Sequence, residues 1–190
     1  MPYASAGPRR GFRLHVGCGP ERLRGWINAD LERHPGVDLI LDARQPLPFA
    51  DATMAYVFAE HFLEHLDRDN GVAFLSECRR VLHPRTGVIR VSTPNLDWVW
   101  STHYRYPADA ATKRAGAFHL NQAFHGWGHR YLYNDVVLTD ALQEAGFEDV
   151  QFFRYGESDR NELGGLERHE INRFETSETL PHVVIAQAHA

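Results

Sequence analysis

The chain has few cysteines and no long apolar run. Cys18 and Cys78 are the only two cysteines among its 190 residues, too few for a disulfide framework, and they favour a reducing, cytoplasmic location. Its uninterrupted apolar stretches are a few residues long, far short of the roughly 20 residues that cross a bilayer. Residues 1–11 lack the apolar centre of a secretory signal. The sequence therefore predicts a cytoplasmic protein with no membrane partner.

An excess of positive charge is also missing. The chain carries 20 Lys and Arg residues against 25 Asp and Glu residues, a formal net charge of −5, which does not favour a nucleic-acid partner. Apolar residues make up 43% and charged residues 24%, as in ordinary globular domains. We therefore expect one domain over residues 1–190 with a sizeable core. The sequence leaves the oligomeric state open, and a homodimer is compatible with it.

The apolar pattern alternates between strand and helix. Strands are predicted for residues 12–16, 26–30, 37–41, 54–58, 87–92, 150–155 and 182–188. Helical spacing predicts amphipathic helices over residues 67–82 and from the N-cap Asn134 to Ala145. This alternation is typical of an α/β fold with a largely parallel sheet. The two late strands, with no long helix between them, predict an antiparallel closing pair.

Two segments show no clear period. Residues 95–130 are rich in Trp, Tyr and His and follow the strand at 87–92, whose carboxyl end is expected to line a ligand crevice. We therefore expect a substrate-side insertion or lid there. Four of its aromatic side chains either form a wall of a substrate pocket or simply pack the insertion: Trp98, Trp100, Tyr104 and Tyr106. Residues 157–178 are predicted to mix loop and short helix.

A glycine turn follows the first strand, and an acidic residue ends the second. Gly17 and Gly19 permit close approach of the backbone to a ligand, and Asp30 is placed to accept both hydroxyls of a ribose. The spacing from Gly17 to Asp30 is only 13 positions. Residues 20–25 leave room for roughly one helical turn, and Arg22 stands where the third glycine of G-x-G-x-x-G is expected. The turn therefore lacks the helix that normally follows it.

The missing helix discriminates between cofactors. A dinucleotide needs a helix N-terminus for its pyrophosphate, whereas S-adenosylmethionine has no phosphate. Its methionine carboxylate needs a few backbone N–H groups or one arginine, such as Arg22 or Arg24. The spacing thus favours S-adenosylmethionine over a nicotinamide or flavin cofactor. Asp42 ends the third strand, where an acidic loop often meets adenine; a solvated cap of the strand is the alternative for this residue.

Several segments together resemble class I S-adenosylmethionine-dependent methyltransferases, and more narrowly the small bacterial "predicted methyltransferase" group with an abbreviated first crossover. They are LHVGCGPERLRGWINADL, LDARQPLPFADATMAYVFAEHFLEHL, ECRRVLHPRTGVIRVSTPN and LTDALQEAGFEDV. The resemblance covers residues 13–150 and is weakest over 95–126. It implies a Rossmann-like, doubly wound, seven-stranded sheet, mostly parallel with an antiparallel closing strand and a shortened first helix.

The resemblance also implies a set of cofactor-binding residues. They are Gly17, Cys18, Gly19, Asp30, Leu31, Asp42, Ala43, Arg44, Glu60 and His61. The glycine turn is implied to lie beside the methionine moiety, Asp30 at the ribose, and Asp42 with Ala43 by the adenine. Glu60 and His61 are implied to lie where the fourth strand opens towards the sulfonium.

Twelve histidines are the compositional oddity of the chain. His61, Glu64 and His65 match H-x-x-E-H, a zinc-hydrolase signature, but they follow a strand and are not placed in a long helix. Ubiquinone-pathway and small-RNA 2′-O-methyltransferases carry a similar E-x-x-E-H segment that binds a divalent ion. Because only three ligands are local and a fourth is unnamed, we expect no metal and a structural role for Glu64 and His65 in capping the loop.

His125 and His129 stand four apart in a second histidine-containing segment. Either is able to accept a proton near neutral pH, although His129 could instead hydrogen-bond across the entry to the next helix. On the resemblance we prefer His129, and we predict His61 and His129 as the catalytic residues.

The expected reaction is methyl transfer from S-adenosylmethionine to an oxygen or nitrogen of a small polar molecule, such as a sugar or natural-product intermediate. A non-catalytic S-adenosylmethionine-binding domain that acts as a partner or regulator is the alternative. A nicotinamide oxidoreductase and a zinc hydrolase are the other rivals, which the missing helix and the strand context of H-x-x-E-H disfavour.

Overall fold

A computed structural model describes residues 11–168 and 180–190 of the chain. Seven strands form one sheet in the order β3-β2-β1-β4-β5-β7-β6. Their bounds are β1 Phe12–Val16, β2 Ile27–Asp30, β3 Leu39–Ile40, β4 Met54–Glu60, β5 Val88–Pro94, β6 Glu148–Phe152 and β7 Val183–His189. Strands β1 to β5 pair in parallel, and β7 runs antiparallel to both β5 and β6. The predicted α/β fold, with its mostly parallel sheet and antiparallel closing strand, is confirmed.

Within residues 11–168 and 180–190, four α-helices and two short helical turns accompany the sheet. The helices are α1 Arg68–Val81, α2 Leu96–His103, α3 Ala110–Asn121 and α4 Asp135–Glu144; the turns are a 3₁₀ turn at Leu63–His65 and a π-helical turn at Gln122–Gly126. The Asp67 carboxylate accepts from the Asn70 backbone N–H and caps α1, and the Asn134 side chain caps α4 in the same way. No helix among the described residues is long and apolar enough to cross a bilayer.

The first crossover contains turns and no helix over residues 17–26. Asn28 on β2 is completely buried, and its side chain fixes the shape of this crossover through hydrogen bonds to the backbone. The Asn28 side-chain oxygen accepts from the Leu23 backbone N–H at 2.8 Å, and its amide nitrogen donates to the backbone oxygens of Leu23 and Trp26 at 3.1 Å each. A buried amide therefore replaces the missing helix as the partner of this loop's backbone.

The main core lies between the sheet and the two amphipathic helices that the sequence predicts. Leu75 and Cys78 of α1 and Leu138 and Leu142 of α4 are all completely buried and share one apolar cluster with strand residues. Burying each large side chain of this kind contributes about 1.5–3 kcal/mol. These helices were predictable because their buried positions recur at helical spacing.

Residues 95–130 are largely helical, which their sequence pattern does not reveal. Helix α3 has no buried residue, so it carries no apolar stripe from which a period could be read. A small cluster built on Val99, Ala123 and Leu132 packs the segment. Gly116 allows α3 to approach α2 closely, since a Cβ there would lie 2.5 Å from the backbone oxygen of His103.

A completely buried ion pair fixes the segment that precedes the last strand. The Arg90 Nε on β5 donates to Glu167 Oε1 at 2.6 Å, and its Nη1 donates to Gln187 on β7 at 2.6 Å. The other Glu167 oxygen accepts from the Gly156 backbone N–H at 3.2 Å. Residues 157–168 form turns without a helix; the rest of the predicted 157–178 segment lies outside the described residues. The ion pair brings Arg168 to the end of β4.

Candidate active site

A cavity of about 680 Å³ lies at the carboxyl ends of β1, β4 and β5. One wall consists of the glycine turn at residues 17–19 together with Glu60 and His61 at the end of β4. A second group of lining residues comes from the 95–130 segment: Trp98, Val99, His103, His119, Gln122, Ala123, Trp127 and His129. The volume is in the range of small-molecule sites. The structure thus brings the predicted turn and the predicted histidines to the same space.

Glycine is required at position 17 for two reasons. Gly17 has φ +67°, a left-handed conformation that side chains rarely adopt. A Cβ at this position would also lie 2.5 Å from Cδ2 of the Phe62 ring. Gly19 has φ +51°, and nothing lies within 4 Å of the Cβ it lacks. The turn therefore exposes bare backbone to the cavity.

Asp30 ends β2 and ties the glycine turn to it. One oxygen of the carboxylate accepts from the Gly19 backbone N–H at 2.7 Å, and the other accepts from the Glu32 backbone N–H at 2.9 Å. An ionised carboxylate has about four acceptor positions, so this arrangement leaves capacity for further donors. Asp30 holds the turn in place and retains lone pairs for hydroxyl groups.

The residues predicted at the ribose and adenine lie beyond the described cavity wall, at the ends of β2 and β3. Leu31 is 57% exposed, and Ala43 is buried in the main core. Arg44 pairs with Asp42 through two bonds of 2.8 Å, and this hydrogen bonding lowers the pKa of the Asp42 carboxyl. The Asp42–Arg44 pair and Leu31 offer polar and apolar surface at the same sheet edge as Asp30.

His61 lies at the end of β4 in a strained backbone conformation. Its φ is +47°, and its backbone N–H donates to the Ser92 backbone oxygen at 2.9 Å, which holds this conformation against the neighbouring strand. Its ring Nδ1 lies 3.2 Å from Oε1 of the buried Glu64. Strain of this kind is retained where the surroundings enforce it, and it clusters at functional sites.

We predict that the free energy of unfolding of His61→Gly is about 0.5–1 kcal/mol higher than that of His61→Ala, so that the glycine variant is the more stable of the two. A left-handed conformation costs an alanine about 1–2 kcal/mol, and only part of this is offset by the greater unfolded-state entropy of glycine. Urea denaturation of the two variants measures the difference. Ala52→Gly is the matched control, because Ala52 is exposed and has φ +57°, so it should show a stabilisation of similar size. Equal stability of the two His61 variants would show that the conformation is unstrained.

Glu64 connects the end of β4 to the second histidine segment. Its side chain is completely buried, and one oxygen accepts from the Thr93 hydroxyl at 3.0 Å. Its backbone oxygen accepts from the backbone N–H groups of Arg130 and Tyr131 at 2.7 and 3.2 Å. These bonds place His129 beside His65, with 5.1 Å between the ring centroids. Residues far apart in sequence thus meet on one wall.

His129 has a defined tautomer and a defined orientation. Its Nδ1 lies 2.7 Å from the Ala123 backbone oxygen, and because a carbonyl only accepts, Nδ1 carries the proton and Nε2 keeps its lone pair. Burial lowers the pKa of His129, which favours the neutral ring at neutral pH. The bond to Ala123 also matches the predicted alternative, in which His129 holds the entry to the next helix. The ring therefore has both a structural bond and a free acceptor nitrogen.

Cys18 lines the same cavity beside the glycine turn. It is buried, and burial raises the pKa of its thiol to about 11. A thiol with such a pKa is almost entirely protonated at neutral pH and is a poor nucleophile. Cys18 is thus suited to packing against a ligand and unsuited to covalent chemistry.

Arg168 is the site residue that the sequence reasoning missed. It lines the cavity, and its backbone N–H lies 3.0 Å from both oxygens of Glu60. The sequence suggests Arg22 or Arg24 as the partner of the methionine carboxylate. Neither is among the described lining residues of the cavity, and Arg22 lies 3.5 Å from Asp38. Because the Arg90–Glu167 ion pair positions Arg168, no local motif marks it.

Comparisons with known proteins agree with this architecture. Residues 14–89 match a family model described as a methyltransferase domain. Similar solved structures include S-adenosylmethionine-dependent methyltransferases from three organisms. That of Archaeoglobus fulgidus has 18% identity and a TM-score of 0.60, covering 94% of this chain and 85% of its own. That of Thermotoga maritima has 18% identity and a TM-score of 0.60, with 95% and 83% covered. That of Mesorhizobium loti has 15% identity and a TM-score of 0.56, with 96% and 93% covered. No curated protein matches with significance.

Proposed function

We propose that this chain is a class I S-adenosylmethionine-dependent methyltransferase and that it methylates an oxygen or nitrogen of a small polar molecule, such as a sugar or a natural-product intermediate. One observation carries the proposal: the glycine turn and the histidine-rich 95–130 segment both line one cavity of about 680 Å³. A space of this size suits a small acceptor placed beside a cofactor. We take the 95–130 segment to be the acceptor-side lid of a single domain.

The cofactor side of the cavity fits S-adenosylmethionine. The bare backbone at Gly17 and Gly19 forms a cradle that side chains would fill, and Asp30 keeps acceptor positions for ribose hydroxyls. Arg168 is the cation suited to a methionine carboxylate, and Glu60 is the anion suited to its amino group. When bound, the cofactor supplies an already activated methyl group on its sulfonium.

The adenine end belongs to the same proposal. Leu31 offers exposed apolar surface at the end of β2, and the Asp42–Arg44 pair stands at the end of β3. Ala43 lies between the two charged residues; because its side chain is in the core, its backbone is the part suited to contact with a base. Hydrogen bonding to a ring amino group is within the capacity of the Asp42 carboxylate.

The chain's own residues align the acceptor and remove its proton. Because the methyl group is already activated, orientation and exclusion of water supply most of the catalysis. Trp98 and Trp127 give the lid wall flat apolar surface, while the imidazoles of His61 and His129 offer proton-accepting nitrogens. Glu64 at 3.2 Å orients the His61 ring. A small polar acceptor suits this mixture of apolar and hydrogen-bonding groups.

A labelled-methyl assay tests this function. The full chain is incubated with S-adenosylmethionine carrying a radioactive methyl group and a panel of sugars, hydroxy acids, phenols and amines. Label should pass to members of the small polar panel, and His61→Ala should slow the transfer far more than it weakens binding of S-adenosylhomocysteine. Tight binding of the cofactor with no transfer to any class would overturn the proposal in favour of a non-catalytic partner or regulator.

The unpaired thiols of Cys18 and Cys78 support placing this activity in the reducing cytoplasm.

A further inference from the structure

The wall between the end of β4 and the lid contains three side chains arranged as metal ligands. Glu64, His65 and His129 each present a ligand atom, and these three atoms lie within 4.8 Å of one another. Two imidazoles and one carboxylate, with a position left open, form a donor set that proteins use for catalytic divalent ions. All three residues line the cavity.

We propose that Glu64, His65 and His129 bind one divalent ion whose open coordination position faces the cavity. This departs from the metal-free expectation for the H-x-x-E-H segment, which lacked a further ligand. The structure supplies that ligand through the Glu64 backbone oxygen, whose bonds to residues 130 and 131 carry His129 to this position.

The surroundings of His129 support its role as a ligand. Its Nδ1–H donates to the Ala123 backbone oxygen at 2.7 Å. This fixes the ring and directs the lone pair of Nε2 away from that bond. Metal-binding histidines nearly always make such a second bond, which sets both the tautomer and the orientation of the ring.

The burial of Glu64 gives a second, independent observation. Its carboxylate is completely buried, and its oxygens lie against the neutral Thr93 hydroxyl and the His61 ring. A buried carboxylate is costly unless it is paired or coordinates a metal. Thr93 occupies Oε2, whereas Oε1 lies 3.2 Å from the His61 ring, and a cation at Oε1 would compensate the charge of the carboxylate.

The spacing requires only a small adjustment. A tetrahedral ion with bonds of about 2.0–2.2 Å separates its ligand atoms by about 3.3–3.6 Å. Glu64 and His129 are held by hydrogen bonds, whereas His65 is exposed. Rotation of the His65 ring is therefore enough to bring its nitrogen to the required distance from the other two ligand atoms. The nitrogen ligands favour Zn²⁺ or Co²⁺ over Mg²⁺, Ca²⁺ or Mn²⁺, which prefer oxygen.

The site also limits the chemical class of the methyl acceptor. This extension rests on the proposed function. An ion with an open position binds a hydroxyl and lowers its pKa, so that the oxygen attacks as an alkoxide or phenolate. Its proton leaves to His61, and the oxygen attacks the methyl carbon, so that an O–CH₃ bond forms while the bond from that carbon to the sulfonium sulfur breaks and S-adenosylhomocysteine leaves. In this arrangement His129 acts through the ion, and the acceptor belongs to the hydroxyl compounds.

Titration with Co²⁺ tests the site without any acceptor or cofactor. The full chain is stripped with a chelator and titrated while its visible absorption and, with Zn²⁺, the heat of binding are recorded. We expect one ion per chain. His65→Ala and His129→Ala should weaken binding by more than the roughly 10–100-fold loss that follows removal of a mere outer partner. His65→Ala is decisive because an exposed side chain is least needed for folding, and circular dichroism verifies the fold.

His125→Ala and His119→Ala are the matched controls, since both belong to the same lid and neither is in the donor set; binding should persist in both. Absence of Co²⁺ and Zn²⁺ binding by the wild type, or full binding by His65→Ala and His129→Ala, would overturn the site. Loss of methyl transfer on chelation, with recovery on adding the ion, supports the hydroxyl acceptor. Because binding is measured alone, ion binding without methyl transfer would count against the proposed function and leave the site standing.

Discussion

Gly17→Ala is expected to abolish measurable binding of S-adenosylhomocysteine and to lower the free energy of unfolding. An alanine at position 17 must adopt φ +67°, and this left-handed conformation costs it about 1–2 kcal/mol. The added Cβ also meets the Phe62 ring at 2.5 Å, and overpacking of this kind costs about 1–3 kcal/mol. The combined cost of about 2–5 kcal/mol is relieved only by displacing the turn, which is the cofactor's proposed cradle. Isothermal titration and urea denaturation measure the two effects.

Gly25→Ala is the matched control for this variant. Gly25 has φ +82°, and nothing lies within 4 Å of the Cβ it lacks. It lies in the same crossover but is not among the described lining residues of the cavity. The control should therefore lose about 1–2 kcal/mol of stability and bind S-adenosylhomocysteine as the wild type does. Wild-type binding by Gly17→Ala would show that the turn does not cradle the cofactor.

Glu167→Ala is expected to lower the free energy of unfolding by about 3–5 kcal/mol, because it leaves the Arg90 guanidinium charged and buried. Both side chains of this ion pair are completely buried, and their closest atoms are 2.6 Å apart. Urea denaturation measures the loss. The variant should also bind S-adenosylhomocysteine more weakly, since the ion pair positions Arg168 at the end of β4.

An exposed ion pair provides the control for burial. Arg68 and Glu144 also approach within 2.6 Å, but their side chains are 40% and 51% exposed. Glu144→Ala should cost less than about 1 kcal/mol, as is usual for exposed pairs. A loss of similar size in both variants would contradict the argument that burial makes the Arg90–Glu167 pair costly to break. The double variant Arg90→Met with Glu167→Leu should recover much of the lost stability.

The regular elements were largely predictable, and the exceptions have physical reasons. β1 lies at the predicted residues, α1 begins one residue after the start of the predicted helix 67–82, and α4 follows the predicted N-cap Asn134. β3 is only Leu39–Ile40, shorter than the predicted strand, because it is an edge strand with two residues paired to β2. β6 begins at Glu148, earlier than predicted, and contains Asp149 at φ +50° with a shift in register. Such an irregularity has no signature in an apolar pattern.

The site was predictable where it depends on local sequence. Gly17, Cys18, Gly19, Glu60 and His61 all line the cavity, because a turn and a strand end are local features. Arg168 could not be predicted, since it depends on a pair of residues that lie 77 positions apart. The contact between His65 and His129 depends likewise on backbone bonds across the sheet edge. The ribose and adenine roles of Asp30, Leu31, Asp42, Ala43 and Arg44 stay predictions.

The most direct test is a crystal structure of the protein with S-adenosylhomocysteine. We expect one molecule per chain, with its amino-acid end on the Gly17–Gly19 turn and its carboxylate near Arg168. Its ribose should lie on Asp30, and its sulfur should face the cavity space lined by His61, Glu64 and His129. A molecule bound with its sulfur turned away from this space, or bound outside the glycine turn, would contradict the assignment of this cavity as the place of methyl transfer.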